Sequence, residues 1–520
     1  MMGLLDIFEY IPTWSWLIIL SVVLLYMYGT QGHNVLEKLG IPGPKPSLFF
    51  GNILQFQKKG TVLQLAEWKK QFGAAFGFYI GSQPVIVVHD LDILKEVLVK
   101  DFQHFTDRPT NVSKAYVEKG VFFQGGVNWK RIRNIITPTF SSVKLKLMIG
   151  PINKCGGLLS NNLVTKAKKG ETVDVKHYFG AYTMDVIART AFGLDTDSQN
   201  NPDEPFVDNA RKLFAGAKFA AIRNLLSSIF PFLKPLLKIL EVVGISKCNP
   251  ALFFVRTIKA MIEQRKTEDE ATRSQRTDFL ELLLKAESEE GSDVHVSNGT
   301  QTKVVKRLTP EEVIGQVFLF FIAGFETTAS TLQFISYNFA KNPEVQEKVI
   351  KEIETHVGDR EPTYDDINKL TYMEQVILET LRHFPPVSIV NRKASKDVDI
   401  KDVHIPKDAI VMIPTYIIHH DPENYENPEE FRPERFDAAT KQESNPITFL
   451  PFGYGPRLCI GMRLALMETK IALVHVLRRV RFAKCSETPD KLDFNNFNGG
   501  ILTPKDPIKV AVELVPKQNS

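Results

Sequence analysis

The chain has 520 residues, 24% of them charged and 43% hydrophobic, which is enough to bury a large core and too apolar for a disordered chain. Its net charge of +4 is too mild to argue for nucleic acid as a partner, although a local basic face stays open. The four cysteines, Cys155, Cys248, Cys459 and Cys485, are scattered with no CxxC pair; this speaks against a disulfide framework or a four-thiolate zinc site and fits a reducing compartment.

The first element is an uncharged run over residues 11–28, about the length of a bilayer core, with Trp14, Trp16, Tyr26 and Tyr28 toward its ends. Asp6 and Glu9 precede it and Lys38 follows, which directs the long C-terminal part to the cytosol. A basic leader and a small-residue cleavage site are missing, so residues 1–30 read as a retained anchor rather than a cleaved signal. Pro42, Pro44 and Pro46 make residues 31–50 a semi-rigid strut, and residues 51–520 read as one large domain.

Within that domain a helix is predicted over 61–73, and two short strands over 76–90 with a turn at 81–83. The apolar run 225–245 is broken by Pro231 and Pro235 and charged by Lys234, Lys238 and Glu241. It is either a buried core segment or a pair of short helices lying on a membrane surface. Residues 266–306 are polar and read as a solvated, partly mobile connection. The longest helix begins at Thr309, with Pro310 at its first position and Glu312 completing a capping box, and runs about 30 residues to Asn342-Pro343. A further strand pair is predicted between 398–405 and 409–416.

Four short stretches and one cysteine loop carry the chemistry. In "AGFETT" a glycine weakens the long helix beside a carboxylate and threonines that can bond a carbonyl one turn back; a small-residue packing contact and a ligand groove with a proton donor both fit. Glu379 and Arg382 share a helix face, as surface ion pairs do; that helix is capped at Thr371 and stops before Pro385-Pro386. "FRPERF" reads as a turn-rich loop. The nearby His419-His420 pair points to opposite faces of an extended segment, which argues against a metal. In "NWKRIRNIITPTF", Trp129 and Arg133 lie one turn apart, either stacked on each other or aimed together at a carboxylate. Finally, "PFGYGPRLCIG" surrounds Cys459 with three glycines at the start of a helix, whose free N–H groups lower a thiol pKa.

Taken in this order, "NWKRIR", "AGFETT", "ETLR", "FRPERF" and "PFGYGPRLCIG" resemble the cytochrome P450 monooxygenases. Phe452, Gly455, Cys459 and Gly461 match the pattern F-x-x-G-x-x-x-C-x-G. The flanking text looks most like the animal microsomal family 3, subfamily A-like. The resemblance implies a mainly α fold with small β-sheets, with haem between the long central helix and the helix after the cysteine loop. It makes Cys459 the axial ligand of the iron of haem b and gives Phe452 the role of shielding the sulfur. Gly453, Gly455 and Gly461 bring the backbone close to the porphyrin, and Trp129, Arg133, Arg392 and Arg457, with Arg108 as a further candidate, bind the propionates. Glu379 and Arg382 form a buried network with Arg435, while Glu326 and Thr327 handle protons.

The implied substrate pocket draws on 110–123, 214–222, 322–327, 387–390 and 499–502, with Ile322, Ala323, Val387, Ile389, Val390, Ile501 and Leu502 lining it. Family members often carry an aromatic where Ile322 stands, so no particular substrate is carried over. The implied reaction inserts one atom of O2 into lipophilic substrates such as xenobiotics and steroids. The chain shows no flavin or nicotinamide fingerprint, so NADPH-derived electrons arrive from NADPH–cytochrome P450 reductase, with cytochrome b5 as a second donor. Lys130, Arg131, Lys144 and Lys146 are either a docking face for them or ordinary solvated cations. The implied location is the endoplasmic reticulum membrane, single-pass, with the catalytic domain cytosolic. A thromboxane synthase type of haem-thiolate isomerase and a non-catalytic haem sensor are the competing readings. The first typically lacks the acid–alcohol pair that Glu326 and Thr327 supply.

Overall fold

A helix that is apolar on every side opens the computed structural model, which describes residues 12–109, 116–201, 204–215, 226–227, 229–233, 235–236, 250–288, 292–297, 300–305, 307–495 and 500–515. In this helix, α1 (Thr13–Thr30), Trp14, Leu17, Ile18, Leu20, Val22 and Leu24 are all more than half exposed. Its last turn is tied down: the Tyr28 hydroxyl donates to the carbonyl of Ile229 at 2.9 Å, and its ring lies among Phe49, Phe230 and Phe232. The proline-rich segment behind it lies against the body of the protein. Gly77 N–H donates to Pro42 O at 2.8 Å, and a Cβ on Gly43 would stand 1.9 Å from Gly77 O, so this approach needs glycine.

The body follows as α2 (Thr61–Phe72), β1 (Ala75–Ile80), β2 (Gln83–Val88), α3 (Gly126–Ile136), α4 (Ser142–Lys168), β3 (Thr172–Asp174), α5 (Val175–Phe192), α6 (Pro205–Ala215), α7 (Pro250–Thr267) and α8 (Phe279–Ser288). Next come β4 (Ser292–Ser297), β5 (Thr300–Val305), α9 (Pro310–Lys341), α10 (Pro343–His356), α11 (Thr371–His383), β6 (Val390–Lys393), β7 (Val398–Ile400), β8 (Val403–Ile405) and β9 (Ile410–Ile413). The described chain closes with α12 (Thr415–His419), α13 (Met462–Leu477), β10 (Val480–Ala483) and β11 (Lys509–Leu514). This is the mainly α architecture with small sheets that the motifs imply.

The capping box forms as expected: Glu312 N–H reaches Thr309 Oγ1 at 3.2 Å, and Thr309 N–H reaches Glu312 Oε2 at 3.0 Å. By length and composition α9 is the one described helix apolar enough to cross a bilayer, yet it is mostly buried and packs on α5, α7, α8, α11 and α13 as the spine of the core. It packs most extensively on α5, where a Cβ on Gly324 would lie 2.4 Å from Ile187 Cδ1. The small-residue packing contact therefore exists at this glycine.

Three expectations change. Residues 398–405 do not pair with 409–416. They fold on themselves as β7 and β8 through a turn at Lys401 (φ +50°), while β9 enters a sheet of order β1-β2-β9-β6, parallel to β2 and antiparallel to β6. The reason is burial: Val411 and Ile413 sit at 0% and 1% exposure, and a strand hidden that deeply has to satisfy its backbone on both sides. The described part of 266–306 is structured as well, since α8 buries Phe279, Leu280, Leu283 and Leu284 in the main core and the strands β4 and β5 pair after it. Its buried Glu281 is held by Arg273 at 3.2 Å. Thr371 does not cap α11; the Glu352 carboxylate reaches across from α10 to Tyr372 N–H and Met373 N–H at 2.7 and 2.8 Å. Most of 225–245 and residues 110–115, 216–222, Cys248 and 499 lie outside the described residues.

Candidate active site

The cysteine loop is held by its own backbone. Gly453 and Gly455 have φ of +76° and +71°, Gly453 N–H bonds Leu450 O at 2.9 Å, and Cys459 N–H bonds Phe452 O at 2.9 Å. A Cβ on Gly455 would strike Leu98 O at 2.1 Å, so this glycine is needed twice over. Gly461 has an ordinary φ of −86° and room for a Cβ, so protein packing alone does not require glycine there. The Cys459 side chain is exposed, yet protein crowds around it closely enough to desolvate the sulfur. Burial pushes its thiol pKa up; the N–H groups of Gly461 and Met462 at the start of α13, with Arg133 and Arg108, pull it down without overcoming the burial. Cys155 and Cys485 are also free thiols.

Four arginines converge beside this loop. Arg457 is buried, bonds the carbonyls of Val121, Phe122 and Gln124, and lies over the Trp129 ring with its Cζ 4.7 Å from the centroid. The stacking partner of Trp129 is thus Arg457 rather than Arg133, whose Nη2 bonds Leu458 O at 2.7 Å. Arg392 is 1% exposed and bonds Asn391 O at 3.0 Å. Arg108 lies over the Phe122 ring at 3.8 Å. Burial holds Arg392 down to about 10 and Arg457 to about 9. Burial also lowers Arg108, and Arg392, Arg457 and Arg133 repel it further. Among the charges that act most strongly on this group, Asp107 is the one carboxylate. The Nε atoms of Arg392 and Arg457 are buried with no hydrogen-bond partner among the described residues.

A second charge cluster pairs its cations with a carboxylate of the chain itself, although Arg435 Nε has no hydrogen-bond partner among the described residues. Glu379 and Arg382 are both 0% exposed and bond each other at 2.7 and 2.9 Å; Arg435 Nε lies 3.4 Å from Glu379 Oε1, and Arg432 N–H donates to the same oxygen at 2.9 Å. The remaining Arg382 donors take the carbonyls of His419 and Pro428, each at 2.8 Å. His419 closes a short helix instead of an extended segment, and no group of three potential metal ligands occurs among the described residues.

On α9 the predicted proton-handling pair divides between two faces, because successive residues stand about 100° apart around a helix. Thr327 Oγ1 donates to Ala323 O at 2.6 Å, and Ala323 is exposed even though α9 crosses the core. Glu326 points the other way, into a cleft of about 310 Å³ shared with Asp174, Lys176, His177 and Arg211. Lys176 Nζ lies 2.8 Å from both Glu326 Oε1 and Ser330 Oγ.

The predicted substrate residues assemble in part. Val387 bridges Ile501, and Leu502 N–H bonds Pro386 O at 3.0 Å, which joins the two loops. Ile322 is partly buried against the main core, Leu502 lies inside it at 3% exposure, and Ile389 and Val390 pack on the two sheet-side clusters. Of the basic face, Arg131 is committed to Glu312 and Arg307 O, and Lys146 lies 3.7 Å from Asp365; Lys130 is exposed.

A family model for cytochrome P450 matches residues 41–512. This chain belongs to the cytochrome P450 family. It is 40% identical over 521 residues to cytochrome P450 3A29 of Sus scrofa, with 99% of each chain covered. It is 40% identical to cytochrome P450 3A7 and 39% identical to cytochrome P450 3A5 of Homo sapiens, each over 516 residues and 98% of both chains. This P450 is an enzyme of the monooxygenase class, and family membership implies haem-thiolate iron. The residues present fit that group: a free thiol is exposed beside a cluster of buried guanidiniums, two of which keep an Nε with no partner among the described residues and so suit an acidic ligand.

Sequence reasoning missed three participants in this P450: Lys176 on Glu326, Arg457 on Trp129, and His419 beside Arg382. Each is a contact between residues more than 35 positions apart, and spacing carries no signal for it.

Proposed function

We propose that this P450 is a membrane-anchored, NADPH-dependent monooxygenase of lipophilic substrates, xenobiotics and steroids among them. The observation that carries this reading is the exposed Cys459 thiol beside four arginines, of which Arg457 alone has a strongly acting carboxylate, Asp107. Haem b, when bound, supplies an iron at which O2 is activated with electrons that originate from NADPH. Cys459 provides the sulfur ligand and Phe452 covers it. Arg108, Arg133, Arg392 and Arg457, with Trp129, neutralise the propionates. Thr327 holds a proton at its hydroxyl on the Ala323 side of α9, and Glu326, in the cleft shared with Lys176, helps relay protons through water. Ile322, Ala323, Val387, Ile389, Val390 and Ile501 exclude water from the lipophilic substrate. Leu502 supports them from the core.

Residues 1–30 anchor the chain in the endoplasmic reticulum membrane as a single pass, residues 31–50 join anchor to body, and residues 51–520 form the cytosolic catalytic domain. The exposed apolar surface of α1 supports this arrangement. NADPH–cytochrome P450 reductase and cytochrome b5 dock on the face carrying Lys130 and Lys144. The test is NADPH consumption and product formation with reductase in lipid nanodiscs, after a spin-shift screen of steroids, fatty acids and xenobiotics. Turnover that needs both NADPH and O2 is expected. Product formed without either would favour an isomerase, and tight binding without turnover a sensor.

A further inference from the structure

His419 is fully buried, and its ring sits between two backbones. Its Nδ1 lies 3.1 Å from Arg382 O, and its Nε2 accepts the N–H of Leu450 at 2.8 Å. A carbonyl only accepts, so Nδ1 carries the proton and Nε2 is bare: the two partners select one neutral tautomer. The bond to Arg382 is reciprocated, because Arg382 Nη1 donates to His419 O at 2.8 Å. Phe449 stacks on the imidazole at 5.5 Å with 21° between planes, and Phe436 packs on Phe449 at 4.7 Å.

Leu450 leads into the cysteine loop. It is 2% exposed, and Pro451 after it has no N–H, so its amide is the last backbone donor before the turn. Its carbonyl accepts Gly453 N–H, and one residue past Pro451 the carbonyl of Phe452 accepts Cys459 N–H. A displacement of Leu450 is therefore passed to Cys459 through two backbone hydrogen bonds. The ion-pair network of Glu379 and Arg382 stands on the other side of the same imidazole.

We propose that His419 is a positioning residue of the sulfur ligand: its neutral imidazole clamps Leu450 to the Glu379–Arg382 network and so fixes where the Cys459 sulfur stands. This rests on the reading of Cys459 as iron ligand. A ring that merely fills space would do its work without nitrogen atoms. His419→Phe keeps the stack on Phe449 and leaves Leu450 N–H and Arg382 O buried and unpaired. His419→Gln places its amide at the reach of Nε2 and keeps an acceptor for Leu450 N–H, whereas His419→Asn places its amide at the reach of Nδ1 and serves only the Arg382 side.

The experiment follows the reduced CO complex of the haem-loaded full chain over time, comparing the red-shifted Soret band of intact thiolate ligation with the blue-shifted band that replaces it. His419→Phe is expected to convert about tenfold faster than the natural protein, the effect of a buried donor left unmade, and His419→Gln to convert within about threefold of it. If His419→Phe does not fold, His419→Asn converting faster than His419→Gln is the expected order. Leu283→Ala, buried on α8 where it packs on α5 and α9, lowers the melting temperature without speeding the conversion. Equal conversion in natural protein and His419→Phe, equal rates for Asn and Gln, or equal acceleration by Leu283→Ala would each overturn the proposal. Cys459→Ser is run beside them. A red-shifted band surviving there overturns the ligand reading itself, and its loss there with no effect at His419 overturns the positioning role alone.

Discussion

Arg382 and Arg392 are buried to the same degree, 0% and 1% exposed, and are treated in opposite ways. Arg382 meets a carboxylate through two hydrogen bonds and spends its other donors on carbonyls. Arg392, with Arg457 beside it, keeps a buried Nε with no partner among the described residues, in a group of cations that repel one another. A buried charge is tolerated only when paired. The first site meets its buried charge with the Glu379 carboxylate, Arg435 Nε alone going without a hydrogen bond, whereas the second gathers cations without a matching set of carboxylates, as the proposed propionate-binding role requires.

The largest expected effect breaks the first site. Glu379→Ala or Arg382→Ala strands a buried charge at a cost of about 3–5 kcal/mol, and soluble yield and thermal unfolding should show little folded protein. The second site should behave with opposite signs in its two forms. Arg392→Leu in the haem-free chain should hold or raise the melting temperature, because a buried cation whose described hydrogen-bond partner is a single carbonyl is removed. In the haem-loaded chain the same change should speed haem transfer to an acceptor protein by about tenfold, since a charge-assisted bond is worth roughly 1.5–3 kcal/mol. A loss of stability in both forms would mean that Arg392 is already paired by the protein.

Acid sharpens the contrast. Burial, together with nearby Arg382, holds His383, His419 and His420 below the ordinary imidazole value, His420 at about 4. In the pH range between the unfolded value of about 6.5 and 4, the unfolded chain binds protons that the folded chain refuses, so stability is full above that window and falls as pH drops through it. Unfolding by denaturant at stepped pH reads this directly. A smaller effect is expected at Gly324→Ala, where the new Cβ meets Ile187 Cδ1 and costs about 1–3 kcal/mol. Ile187→Val removes that atom and should restore part of the loss. Least of all, Lys176→Met should change stability by less than about 1 kcal/mol, because the pair it breaks is partly solvated. Its signature should be an altered ratio of product to NADPH consumed.

The comparison also separates what sequence reveals from what it hides. The capping box of α9, the helix after the cysteine loop, the β1–β2 hairpin and the Glu379–Arg382 pair were all legible, because each is set by residues within a few positions of one another. The five motifs, in order, were enough to point to the family. What escaped has long-range causes. The partner of β9 was decided by which strand lies beside it in space, and the apolar face of α8 was hidden in a stretch rich in charge. The cap of α11 came from another helix. Glu326 and Thr327 are neighbours in the chain, yet helical rotation sends one to Lys176 and the other to Ala323. The sequence by itself determined which residues carry charge, sulfur and turn. Only the tertiary structure decided which buried charges are paired, because pairing depends on distances between segments that no local pattern encodes.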